Sequence, residues 1–194
     1  MRETAAAIAT YQGARERLKR LAILSGAFFF GSSLSAVFGF SPGTLRQTLH
    51  RWARDGLIIP VGARADVYLN TYHPDHAAAI ESAVLAIHPS ALVVGHQVLY
   101  EAGVTSQVPA TIDLVTCKRG PGVFGFRAHV VPAARHAELA RQLQPFTAGK
   151  LPRVAARAAF AAARSLGILA IDDDDIEWDA LQAPPRRRHV RAPK

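Results

Sequence analysis

Between Ser41 and Gly56 the chain collects Thr44, Arg46, Gln47, His50, Arg51 and Arg54, and Arg64 follows shortly after. Guanidinium groups pair with guanine and neutralise phosphate, and a carboxamide pairs with adenine, so this set suits contact with double-stranded DNA. Gln47 and Arg51, with Thr44 and Arg46 near the segment's start, are the candidates for base or backbone contact, and His50 shares their side. Arg54 and Arg64 suit phosphate, where they would set salt dependence rather than sequence choice. A solvated face on any surface helix offers similar residues. The coincidence of this set with a basic region of the chain favours nucleic acid.

Other groupings carry less. Gly120-Pro121-Gly122-Val123-Phe124-Gly125 spells a dinucleotide-binding pattern, but that pattern must open a helix, and Phe126 to Val131 alternates like a strand. A glycine-rich hairpin loop is the expectation. His73, Asp75 and His76 bracket Pro74 without third and fourth ligands at metal-binding spacing, and Asp172 to Asp175 lack the spacing of a calcium loop. Arg153, Arg157 and Arg164 fall on one face if their segment is helical; this is equally a second basic surface or a solubilising face. Neither a metal nor a cofactor is expected, and no nucleophile elbow, phosphate loop or paired-cysteine signature supplies catalytic residues. The competing reading is a nucleic-acid-processing enzyme with a catalytic C-terminal domain using Asp113 or Asp172.

The elements that would position the first set can be read locally. Apolar Ala7, Ile8, Tyr11, Ala14, Leu18, Leu21 and Ala22 recur at helical spacing from Ala5 to Leu24. Ser25-Gly26 ends that helix, Phe28-Phe29-Phe30 reads as a strand, and Ser32 or Ser33 caps a brief helix closed by Gly39. Ser41 and Pro42 then open a third helix that Gly56 closes, with Leu45, Leu49 and Trp52 on its inner arc. Leu57 to Val61 and Asp66 to Leu69 form a hairpin with Arg64 near its tip. This order is that of a winged helix-turn-helix over residues 1–71, the third helix being the recognition helix.

A small mixed α/β domain over 72–182 is expected to follow, making the whole chain α+β. Its elements are a helix from His76 to Ile87, a second apolar helix from Ser90 to Ala102, strands Thr111–Cys117 and Phe126–Val131 joined as a hairpin, and helices Ala133–Leu143 and Arg153–Leu166. The segment 183–194 reads as a basic, disordered tail whose Arg186, Arg187, Arg188 and Arg191 add nonspecific attraction to nucleic acid.

Composition fits these expectations. The 194 residues are 49% hydrophobic, enough to bury a core in one large domain or in each of two small ones. The formal charge of +8 divides as +5 over residues 1–70, −2 over 71–183 and +5 over 184–194, so the polyanion-attracting ends flank a mildly acidic middle. A single cysteine, Cys117, cannot form an internal disulfide, which fits a reducing cytoplasm. Leu21 to Phe40 carries no charge for 20 residues, but seven of them are serine or glycine, so short buried elements are expected there and not a membrane span.

Two segments together resemble AbiEi-type antitoxins of type IV toxin–antitoxin systems. The first is Gly26-Ala27-Phe28-Phe29 with Ser41 to Asn70, including Leu45-Arg46-Gln47-Thr48-Leu49 and Asp55-Gly56-Leu57-Ile58. The second is Leu92 to Pro109, above all Gly103-Val104-Thr105-Ser106-Gln107-Val108-Pro109, with the strand Thr111 to Cys117. The resemblance implies a sequence-specific repressor, two copies of which bind an inverted repeat in their own promoter. It further implies functional pairing with a nucleotidyltransferase-like toxin without a required stable complex. The short C-terminal region and arginine-rich tail depart from that family's pattern. Thr105 and Gln107 are open to two readings, satisfying loop backbone or forming a functional surface.

Overall fold

The computed structural model describes residues 2–145, 147–169 and 173–182, with side chains from residue 13 onward except that of 173. The described residues are mixed α and β: eight α-helices, a short 3₁₀ turn and two small sheets. Two compact units divide them. The first runs to Pro89 and adds Gly120–Phe124, and the second holds Ser90–Arg119 and the chain from Gly125 onward.

The first unit contains α1 (Arg2–Ser25), β1 (Phe28–Phe30), α2 (Ser33–Phe38), α3 (Pro42–Arg54), β2 (Ile58–Pro60), β3 (Val67–Asn70) and α4 (Ile80–Ile87). Its antiparallel sheet has the order β1-β3-β2, with Phe29 opposite Tyr68 and Ile58 opposite Asn70. Ala14, Leu18 and Leu21 of α1 are buried with Phe29, Leu34, Leu49, Trp52, Leu57 and Ile58, so the helical spacing in the sequence is spent on one core. Ala7, Ile8 and Tyr11 lie among residues whose side chains are not described. Asn70 is buried beside this core and hydrogen-bonded at both ends of its amide: the NH2 group donates to the carbonyl of Leu18 at 2.8 Å and the oxygen accepts from the N–H of Tyr72 at 3.1 Å.

The uncharged run Leu21–Phe40 is divided by positive-φ glycines, Gly26 at 80° and Gly39 at 67°, into the end of α1, β1 and α2. No helix among the described residues is long and apolar enough to cross a membrane. The cap of α2 differs from expectation. Ser32 already has helical dihedrals and no capping bond, while the Ser33 hydroxyl donates back to the carbonyl of Phe30 at 2.6 Å.

The expected boundary after residue 71 is displaced. The helix expected from His76 begins only at Ile80, because residues 74–79 wind as turns anchored by hydrogen bonds from His76 to His73 and from Ala79 to Asp75. This α4 packs against β3, where Val67 and Leu69 alternate to the side opposite Phe29 and are also buried. A three-stranded sheet with two apolar faces needs cover on both, and α4 therefore belongs with the first unit.

The second unit contains β4 (Leu92–Val94), α5 (His96–Glu101), β5 (Ile112–Thr116), β6 (Phe126–Val130), α6 (Ala133–Ala140), α7 (Ala156–Leu166), the 3₁₀ turn Asp173–Asp175 and α8 (Trp178–Gln182). Two expectations fail here. The single apolar helix over 90–102 is instead a strand and a short helix, broken at Gly95, whose φ of 68° and ψ of −146° suit glycine alone. An apolar run this short has no periodicity that separates strand from helix. The strands β5 and β6 form no hairpin: they are parallel neighbours in the order β4-β5-β6, with Asp113 opposite Arg127. Leu99, Val104, Phe160, Ile176 and Leu181 make a buried cluster, and the Ala-rich α7 sets Ala159 and Ala163 inside. The tail 183–194 and its arginines lie outside the described residues.

Candidate nucleic-acid interface

Local chemistry fixes both ends of α3. The Ser41 hydroxyl accepts from the N–H of Thr44 at 3.3 Å, Pro42 occupies the first turn, and Gly56 at φ 69° turns the chain so that the Leu57 N–H returns to the carbonyl of Trp52 at 2.9 Å. Thr48, Leu49 and Trp52 are buried, Leu45 and Ala53 half-buried. Phe40 meets Trp52 edge-on with ring centroids 6.5 Å apart. This packing sets the helix's rotation about its own axis.

Thr44, Arg46, Gln47, His50, Arg51 and Arg54 are consequently all exposed. They are not equally available. The Thr44 hydroxyl shares a hydrogen bond with that of Ser41 at 2.9 Å, and Arg54 pairs with Asp55 at 3.1 Å. Among the described residues, Arg46, Gln47, His50 and Arg51 have no side-chain hydrogen bond or ion pair, and their donors are left to solvent or a ligand. Arg64 stands exposed in the turn between β2 and β3 with φ 62°, the sole positive φ outside glycine among the described residues.

The second basic surface is not assembled. Arg153 precedes α7 and pairs Val93 in a single β-bridge. Its guanidinium grips Glu101 through two hydrogen bonds, at 2.6 and 2.9 Å, and donates to the carbonyl of Leu151 at 2.8 Å. A guanidinium neutralised in this way is lost to phosphate. Arg157 and Arg164 are exposed on α7, Arg164 lying 5.7 Å from the ring centre of Phe160.

A group the sequence did not single out surrounds Asp113. This carboxylate is buried on the central strand β5 and accepts from Nε2 of His129 on β6 at 2.8 Å. His96, which opens α5 just after Gly95, feels the same carboxylate. Burial lowers the His96 pKa, and it outweighs the attraction of Asp113 and a backbone hydrogen bond with Gln107. Nε2 of His96 is buried without a partner among the described residues. Neither histidine lies in a recognisable motif, and only the long-range pairing of β5 with its neighbours joins them. Asp172, the other acid of the enzymatic alternative, lies outside the described residues.

A lowered imidazole pKa makes the folded state bind fewer protons than the unfolded one, so stability is lost as pH falls from about 6.5 through the folded-state value. Melting temperatures across that range are expected to fall less in His96→Gln than in the unaltered chain. Parallel declines would assign the dependence elsewhere.

Thr105 and Gln107 make internal bonds: the Thr105 hydroxyl accepts from the Gln107 N–H at 3.2 Å, and the Gln107 amide donates to Asp175 at 2.6 Å. His73 and His76 are tied into their own turn, His73 accepting from the Asp75 N–H at 3.1 Å and the His76 ring donating to the His73 carbonyl at 2.8 Å. No set of three metal-ligating side chains occurs among the described residues. Comparison with protein-family models and with curated proteins finds no match.

Proposed function

We propose that the chain is a sequence-specific DNA-binding repressor whose first unit is a winged helix-turn-helix, with α3 as its recognition helix. The observation that carries this reading is the division of α3 into an inner face that is buried and an outer one whose Arg46, Gln47, His50 and Arg51 have no side-chain partner among the described residues. The element order helix, strand, helix, helix, hairpin and the excess of +5 over residues 1–70 support it. Arg64 at the hairpin tip would hold phosphate.

On the resemblance to AbiEi-type antitoxins, the proposed target is an inverted repeat in the chain's own promoter. Two copies would occupy it, one per half-site. The proposed physiological setting is a two-gene cytoplasmic operon with a nucleotidyltransferase-like toxin as the functional counterpart.

The test is titration of the chain onto a duplex carrying its own upstream region and onto mixed-sequence DNA, at several salt concentrations. Binding to the upstream duplex is expected to be about 10³-fold tighter or more, and binding to both should weaken as salt rises. Equal affinity for the two duplexes would remove the repressor reading, and an absence of binding to either would remove the nucleic-acid reading altogether.

A further inference from the structure

The glycine pattern Gly120-Pro121-Gly122-Val123-Phe124-Gly125 is absorbed by neither the recognition helix nor a cofactor. Its first five residues belong to the first unit, where they lie against the base of the β2–β3 hairpin. The N–H of Phe124 donates to the carbonyl of Val61 at 3.0 Å. Gly62 is buried because the backbone of Gly122 lies on it, and a Cβ at Gly62 would run into the Gly122 carbonyl. Gly120 sits under the ring of His88, where a Cβ would come within 2.6 Å of Cε1, and Nε2 of His88 donates to the carbonyl of Pro121 at 3.0 Å. Two glycines, one on each side, are required by close approach and not by dihedral angle.

The hairpin is held from its other strand as well. Asp66 accepts from the N–H of Gly31 through its carbonyl at 2.9 Å and from the N–H of Ser32 through its carboxylate at 2.8 Å. Residues 63–65 lie between these two anchors, with Ala63 and Arg64 exposed and Ala65 buried, and at their centre Arg64 keeps its left-handed φ of 62°. A residue other than glycine stays in that region when its surroundings determine the turn.

We propose that the strap Gly120–Phe124 fixes the hairpin tip in the pose that presents Arg64 to DNA, with Gly62 and His88 as positioning residues. The proposal rests on the DNA-binding reading. It gives the glycine pattern a mechanical role, in which the strap sets the base of a turn whose tip carries the charge.

The experiment measures how the affinity of the full-length chain for a mixed-sequence duplex depends on salt. A slope on logarithmic axes counts phosphate contacts and does not respond to a loss of folding stability at temperatures where the protein remains folded. Arg64→Ala is expected to reduce the slope by about 1. Gly62→Ala and His88→Ala are expected to give the same reduction with Arg64 still present, and adding Arg64→Ala to either should change nothing more. Gly122→Ala, whose Cβ would meet open space, should keep the full slope. Melting curves confirm that each variant is folded at the assay temperature, and His88→Ala carries the test if Gly62→Ala is not.

The strap is overturned as a positioning element if Gly62→Ala and His88→Ala retain the full slope, or if Arg64→Ala reduces it equally in their backgrounds. Arg64→Ala with an unaltered slope also overturns it, while leaving the α3 reading intact if Arg51→Ala weakens binding. No binding of the unaltered chain to the duplex ends both the proposal and the reading beneath it.

Discussion

Gln47→Ala combined with Arg51→Ala is expected to abolish discrimination between the operator and mixed-sequence DNA while leaving the melting temperature nearly unchanged. The two residues stand one helical turn apart on α3, both exposed and without a partner in the described chain. A bidentate carboxamide or guanidinium contact to the correct base contributes about 1–3 kcal/mol of discrimination, so each loss should cost roughly 5- to 150-fold on the operator alone. Neither removes a buried contact, and exposed substitutions of this kind change stability by about 0.5 kcal/mol or less. Anisotropy titrations on the two duplexes, beside thermal melts, separate the terms. Unchanged operator preference in the double variant would move base recognition off this face, and a preference lost only together with the melting transition would make the effect one of folding.

The residues that made α3 legible act within a few positions of one another. Ser41, Pro42, Asp55 and Gly56 state where the helix starts and stops, and the spacing of Leu45, Leu49 and Trp52 states which face turns inward. The same local logic placed β1, α2 and the hairpin. It failed where the deciding partner is distant. The exclusion of Arg153 from any basic stripe depends on Glu101, 52 positions earlier, and the parallel pairing of β5 with β6 depends on where residues 117–125 lead the chain. Leu92-Val93-Val94 reads locally as part of a helix, and only the hydrogen bonds of β5 make it a strand. Of the Asp113, His96 and His129 group only the carboxylate attracts notice in the sequence, because His129 is brought to it by the pairing of β6 with β5 and His96 by the turn at Gly95 that opens α5. The glycine pattern was legible as a loop. The His88 ring and Gly62 backbone that require its close approach were not.

Trp52→Ala is expected to have the largest effect on stability in the first unit and to reach DNA binding only through it. The side chain is 4% exposed, on the face of α3 opposite Arg46 and Arg51, within the cluster of Leu18, Leu34 and Leu49. Truncating a buried tryptophan removes its apolar transfer energy and leaves a cavity that neighbours refill only in part, a loss of about 3–5 kcal/mol. Domains of modest size have a total of about 5–15 kcal/mol, so most of the margin goes, with a fall in melting temperature of roughly 15 °C or more. Trp52→Phe, which keeps a ring against Phe40, should lose distinctly less. Far-UV circular dichroism of the three proteins checks the order. Titration of Trp52→Ala at low temperature, where its helix signal is intact, should return near-normal operator affinity, because the outer side chains are untouched. A melting temperature close to that of the unaltered chain would show that Trp52 does not anchor α3. Folded but non-binding Trp52→Ala would show that the helix's rotation, and with it the direction of its arginines, depends on this single side chain.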